Sequence, residues 1–325
     1  MTEPFDIHTD NIFNPDKSGP AVTTVGTFDG VHLGHRKILG ELSSGSGQEM
    51  IRTVVTFEPH PQNMMRKRPG IVPIITDTEQ KVRLLRREGV DRVLILKFTE
   101  ELAKLSAEDF LKQILLGKLN SKKLVVGFNH AFGEGRKGTC EFLRSVKEKY
   151  GFELKVVEPH FVGEETVSSS KIRNALMSGE IEKTNAFLGR PYCLRGIVIP
   201  GEGRGRQLNF PTANIEPIPK HRLIPKYGVY AAAVRHNHTV YPGMLNIGVK
   251  PTFGGKDLSI EIHLIGFSGE LYGEVITLQF LQYLRSERKF DNSDELTQQL
   301  TKDKEDSLQA YHHHKSEDLQ VEKFC

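Results

Sequence analysis

Up to about Gly179, short apolar runs alternate with amphipathic ones. Residues 21–25, 51–57, 92–98, 123–127 and 153–157 are apolar and β-prone, which predicts buried strands. Helical patterns lie between them. One opens at His35 and ends in a Ser/Gly loop over residues 43–47. Thr76-x-x-Glu79 reads as a capping box ahead of Val82 and Leu85, with Gly89 as its stop. Ser106 caps a run in which Phe110, Ile114 and Leu115 recur at helical spacing, ending near Gly117. Ser168 or Ser169 starts a last helix that stops at Gly179. Strands alternating with helices imply a doubly wound parallel sheet, which binds ligands at the carboxyl ends of its strands.

After about Leu188 helical periodicity fades. Short alternating runs at 192–199, 228–234, 244–248, 258–265 and 275–280, broken by Gly and Pro, predict an antiparallel barrel or sandwich. A closing helix from Asn292 or Ser293 carries Leu296, Leu300 and Leu308 toward the core. The linker falls near 181–190, giving domains 1–183 and 184–325, and 325 residues suffice for two separate cores.

Composition narrows the function classes. Hydrophobic content of 38% and charged content of 26% are those of a soluble globular protein. No apolar run nears the ~20 residues that span a bilayer. The polar, acidic N-terminus lacks the apolar core of a signal peptide. Forty-four basic against 41 acidic residues, net +3, gives no case for nucleic-acid binding. Cys140, Cys193 and Cys325 are widely spaced, which argues against a disulfide framework or zinc site and for a reducing cytoplasm. His312-His313-His314 reads as a solvated tail.

The densest chemistry lies in Gly26-Thr27-Phe28-Asp29-Gly30-Val31-His32-Leu33-Gly34-His35, at the first strand-to-helix turn. Backbone N–H groups and the helix dipole there favour phosphate, and two imidazoles can donate to phosphoryl oxygens. Two solvated histidines in a Gly-rich loop is the weaker reading. Phe57-Glu58-Pro59-His60-Pro61 follows the second strand and is equally a structural turn. Gly127-Phe128-Asn129-His130-Ala131-Phe132-Gly133 follows the fourth; contact with a nucleotide and an exposed loop are evenly matched. Ser168-Ser169-Ser170-Lys171-Ile172-Arg173 makes either a second anion cradle or a plain cap.

In the second half, Gly201-Glu202-Gly203-Arg204-Gly205-Arg206 is either a phosphate wrap or a hairpin. No GxxxxGK[ST] loop is present, so a kinase here must use another phosphate site. Thr212 and Asn214 share one side of an extended segment; both are hard oxygen donors and both are common turn residues. In Ser259-Ile260-Glu261-Ile262-His263-Leu264 the strict alternation sets Glu261 and His263 opposite the isoleucines. Alone, Glu261 reads as a wet-face residue; the sharper reading is a general base beside a substrate hydroxyl.

Taken together, GTFDGVHLGH and SSSKIR resemble the HxGH and SSxxIR signatures of the nucleotidyltransferase superfamily. With FEPHP and GFNHAFG, the first half is similar to the adenylyltransferase module of bacterial bifunctional riboflavin kinase/FAD synthetases. RGRQLNFPTANI, KYGVYAA, MLNIGVKPTF, IEIHLIGF and LYGEVITLQFLQYLRSERKF resemble, in order, that family's riboflavin kinase module, a six-stranded antiparallel barrel. Asn129 stands where many members carry Asp, and Asn209 where the family usually has Gly.

The resemblance implies that riboflavin is phosphorylated to FMN and FMN adenylylated to FAD, with ATP and Mg²⁺ in both steps. It implies catalytic roles for His32, His35, Arg173, Asn214 and Glu261. It implies ATP contacts at Gly26, Phe28, Asp29, Gly34, Asn129, Ser169, Ser170, Gly203, Arg206 and Thr212. Flavin contacts are implied at His60, Pro61, Asn63 and Arg285, with Mg²⁺ at Thr212 and Asn214. The implied partners are small molecules, without nucleic acid or membrane, for a monomer or weak homo-oligomer. Two rivals stand beside it: a nucleotidyltransferase with a different acceptor, and a non-catalytic flavin carrier.

Overall fold

The computed structural model describes residues 7–8, 19–43, 50–65, 72–201, 205, 208–252 and 255–316. They divide between two compact units, Met1–Ser168 and Ser169–Cys325.

The first unit is built on a six-stranded sheet. Its spatial order is Ile7–His8, Arg92–Lys97, Ile51–Glu58, Ala21–Val25, Ser121–Gly127 and Glu153–Val157. All pairings are parallel except that of Ile7–His8. The parallel strands start in the middle, run outward on one side, then cross to the other. The first parallel strand, Ala21–Val25, and the fourth, Ser121–Gly127, therefore flank the point where strand order reverses, the usual ligand crevice of such sheets. Neighbouring residues in each strand serve opposite faces. Val55, Leu94, Leu124 and Val126 pack with Phe110, Ile114 and Leu143 on one side. Val54, Val93, Ile95 and Val125 pack with Leu39, Val82 and Leu85 on the other.

Three local expectations need correction here. The opening helix spans Leu33–Ser43, so it begins two residues before His35. The cap of the helix Thr78–Arg87 is Asp77, whose carboxylate accepts from the Gln80 N–H at 2.7 Å. Thr76 instead offers its hydroxyl to the Gly30 N–H at 2.9 Å. The Ser106 cap holds, but after Ala107–Asp109 the helix widens to π geometry over Phe110–Lys118.

The second unit opens with two helices, Ser169–Ser178 and Ile181–Leu188. The second occupies the expected linker. Ile181, Thr184, Phe187 and Leu188 are all buried, which gives that segment the helical stripe a linker lacks. Asn185 ties it to the barrel, donating to the Phe280 carbonyl at 2.9 Å and accepting from the Tyr192 N–H at 2.8 Å. The barrel closes in the order Tyr192–Ile199, Ala213–Ile218, Gly255–Leu264, Thr239–Thr252, Gly228–His236, Val275–Arg285. Every pairing is antiparallel. Leu245, Ile247, Ile262, Leu278 and Phe280 are completely buried within it.

The closing helix, Ser293–Ser316, covers the outer wall of the barrel. Asp303, Ser307, Ala310 and Tyr311 are its buried positions, while Leu296, Leu300 and Leu308 are only half-buried. Cys140 is a buried free thiol.

Candidate active sites

In the first unit the chain leaves Ala21–Val25 through a sharp turn, with φ of +48° at Phe28, +89° at Gly30 and +39° at Val31. The Asp29 carboxylate holds this turn from behind, accepting from the Ile75 and Thr76 N–H groups at 3.0 Å. Below it, the buried Lys81 donates to the Thr27 carbonyl and the Thr56 hydroxyl, both at 3.2 Å. Burial lowers the Lys81 pKa, while Asp29, Glu58 and Asp77 favour its charge. The result is a rigid platform for two stacked imidazoles. The rings of His32 and His35 lie 3.6 Å apart and 15° from parallel. The His35 N–H donates to His32 Nδ1 at 3.3 Å, which leaves the His32 proton on Nε2. Space is tight at Gly34: a Cβ there would stand 3.1 Å from His32 Cε1, so the ring would have to give by a few tenths of an ångström.

The loop after Ser121–Gly127 presents Asn129 and Phe128 to solvent. His130 folds the other way, toward Phe132, with its Nε2 buried and no hydrogen-bond partner among the described residues. Burial, with Arg136 nearby, pushes its pKa down to about 4, so it is neutral at pH 7. His60 Nδ1 accepts from the Gln62 N–H. The Asn63 amide is committed to Val72, accepting from its N–H at 2.6 Å. Ser169, Ser170 and Arg173 lie in the first turns of the helix Ser169–Ser178.

In the second unit a cavity of about 240 Å³ lies between the barrel wall and the closing helix. Barrel closure sets Glu261 directly opposite Asn214 on one side and Asn246 on the other. Cross-strand partners of this kind bring side chains within about 5 Å. Glu261 accepts from the Thr212 hydroxyl at 3.1 Å and the Ser259 hydroxyl at 3.2 Å. Its face is covered rather than wet, and His263 on the same face is buried, its Nδ1 2.8 Å from the Pro211 carbonyl oxygen. Val229, Met244, Leu296 and Leu300 add apolar lining to the same cavity. Arg285 reaches the cavity but spends its guanidinium on Asp303, with contacts of 2.9 and 2.6 Å. Gln299 adds a 2.7 Å bond to the same carboxylate. Gly203 and Arg206 lie outside the described residues.

Residues 14–171 match the family model for FAD synthetase, and residues 188–311 match that for riboflavin kinase. The bifunctional riboflavin kinase/FMN adenylyltransferase of Bacillus subtilis (strain 168) is 37% identical over 301 residues, covering 91% of this chain and 94% of its own length. The protein of the same name from Escherichia coli (strain K12) is 35% identical over 286 residues, covering 87% and 90%. The chain belongs to the bifunctional riboflavin kinase/FMN adenylyltransferase family. A crystal structure described as a macrolide-efflux protein from Streptococcus pneumoniae shares the architecture, with TM-score 0.81 and 30% identity over 89% of this chain and 94% of that one. Among the described residues, no helix of the present chain is long and apolar enough to cross a membrane.

Of the residues singled out in the sequence, the structure stacks the histidine pair and sets Thr212 and Asn214 beside Glu261. Motif reading missed the supports: Thr76 and Lys81 under the turn, and Asn246, Glu287, Phe290 and Asp303 around the cavity. Lys81 carried a readable sign, since it falls on the apolar stripe of its helix beside Val82 and Leu85. The others are ordinary polar and aromatic residues whose meaning comes only from barrel closure.

Proposed function

We propose that residues 184–325 phosphorylate riboflavin and residues 1–183 convert the product to FAD, each at the residues described above. The observation that carries the kinase half is Glu261, paired across the strands with Asn214 and Asn246, on a cavity that Val229, Met244, Leu296 and Leu300 also line. A flat flavin ring suits that apolar lining, and its 5′-hydroxyl then meets Glu261. Glu261 takes the hydroxyl proton as the oxygen attacks the γ-phosphorus of ATP; FMN forms and ADP leaves. Thr212 and Asn214 supply neutral hard oxygens, a donor set suited to Mg²⁺ shared with nucleotide phosphates. That ion, when bound, offsets phosphate charge.

For the second reaction, an FMN phosphate oxygen attacks the α-phosphorus of a second ATP, and pyrophosphate leaves. The nucleophile is already ionised at neutral pH, so positioning and charge stabilisation carry the rate. His32 and His35 donate to the reacting phosphate. Ser169, Ser170 and Arg173 are assigned the departing phosphates, and Gly26, Phe28, Gly34 and Asn129 the nucleotide. Asp29 serves by holding the turn. His60, Pro61 and Asn63 are assigned the flavin of this step. Both reactions draw on ATP, and the same proposal puts the enzyme in the cytoplasm.

Glu261→Gln tests the assignment. Formation of FMN from riboflavin falls by about 10²–10⁴-fold, the usual loss of a general base, while FAD formation from supplied FMN persists. Undiminished riboflavin phosphorylation would overturn it.

A further inference from the structure

The seam between the strands Ala213–Ile218 and Gly255–Leu264 is the barrel's shortest among the described residues. It pairs Asn214 with Glu261 and Ala213 with Ile262, and there it stops. Pro211 accounts for the stop, because a proline has no N–H to carry the ladder on. Thr212, Asn214 and Glu261 therefore meet where the backbone of the barrel holds them least.

A side chain takes over from the ladder. His263 stands on the same face as Glu261, two positions along its strand, and is 7% exposed. Its Nδ1 lies 2.8 Å from the Pro211 carbonyl oxygen. A carbonyl can only accept, so this contact puts the imidazole proton on Nδ1. The Phe210 ring lies against the imidazole, with centroids 5.5 Å apart and planes at 64°. The loop ahead of Thr212 is itself tightly folded. Asn209 has φ of +61°, and the Phe210 N–H donates to the Gly205 carbonyl at 2.9 Å. One residue past the bonded carbonyl, the Thr212 hydroxyl donates to Glu261 at 3.1 Å. The Nδ1–H bond thus ties the two strands together on the side of Thr212 where pairing has ended.

We propose that His263 is a positioning residue of the kinase reaction: its Nδ1–H fixes the Pro211 carbonyl and so holds Thr212 and Asn214 in register with Glu261. The inference rests on reading Glu261 as the base for riboflavin. His263 acts through the loop and not on the substrate. When reacting groups sit slightly out of place, substrate still binds but reacts slowly, so the loss shows in kcat.

Two variants separate this role from packing. His263→Phe keeps a ring against Phe210 and removes the donor. His263→Asn gives up the ring and keeps an N–H close to where Nδ1 stands. Both are assayed in the full-length enzyme with riboflavin and Mg-ATP, and rates are normalised to FAD formation from supplied FMN, which is assigned to the other unit. In His263→Phe the kcat for riboflavin phosphorylation falls by about 10–100-fold, while the KM for riboflavin stays within about twofold of wild type. His263→Asn keeps more of kcat than His263→Phe does. A ring that only packs gives the reverse order, so a kcat in His263→Phe equal to or above that in His263→Asn overturns the proposal. A KM that rises as far as kcat falls overturns it too. Wild type that phosphorylates no riboflavin removes the kinase reading and the positioning role with it; active wild type with the wrong order of variants removes the positioning role alone.

Discussion

His130 shows how one buried imidazole sets a pH limit on the fold. Its pKa is pushed down to about 4, against the ordinary 6.5. Below pH 6.5 the unfolded chain takes up a proton that the folded chain refuses, so stability falls as pH drops toward 4. Between pH 7 and pH 5 this costs about 2 kcal/mol. Urea unfolding of wild type and of His130→Phe at the two pH values checks it. The variant lacks that share of the acid sensitivity, and equal pH slopes would remove His130 from the account. Lys81 has the same sign. Its pKa is lowered by burial, so the penalty eases as pH rises toward 10.5. Burial, not residue type, makes such groups special; the apolar stripe around Lys81 was a local sign of it, and His130 had none.

At the scale of elements, a buried ion pair ties the closing helix to the barrel beside its apolar contacts. Arg285 and Asp303 join the last barrel strand to the helix, with the carboxylate almost wholly buried. Removing one partner of such a pair leaves the other charge buried and unpaired, a loss of about 3–5 kcal/mol. Asp303→Ala therefore lowers the unfolding free energy by about that amount, and it raises the KM for riboflavin because this helix walls the cavity. A change below about 1 kcal/mol in denaturant titration would show that the helix is held by its apolar contacts alone.

The parallel sheet was legible because each of its parallel strands carries at least two β-branched residues. The strand Ala213–Ile218 was not, since Pro211, Pro217 and Pro219 break the pattern that marks a strand. The helix Ile181–Leu188 passed for a linker because its stripe is short and its exposed side polar. Asp77 displaced Thr76 as cap because the Thr76 hydroxyl is held at the Gly30 N–H. That bond joins residues 46 positions apart and has no local signature.

At the scale of the molecule, the chain folds as two units, each with its own core, and the proposal gives each reaction its own site. Motif spacing made both sites visible, because phosphate turns and a strand base are local patterns. The Glu287 contact was not visible, because Glu287 and Asn246 lie 41 positions apart and meet only once the barrel closes. Separate sites predict separable losses: His32→Ala abolishes FAD formation and spares FMN formation, the converse of Glu261→Gln. The most direct test is a chromatographic time course of the purified protein with riboflavin, ATP and Mg²⁺. The account predicts FMN first and FAD after it, with His32→Ala stopping at FMN. Loss of both products in His32→Ala, or neither product from the wild type even when FMN is supplied, would contradict it.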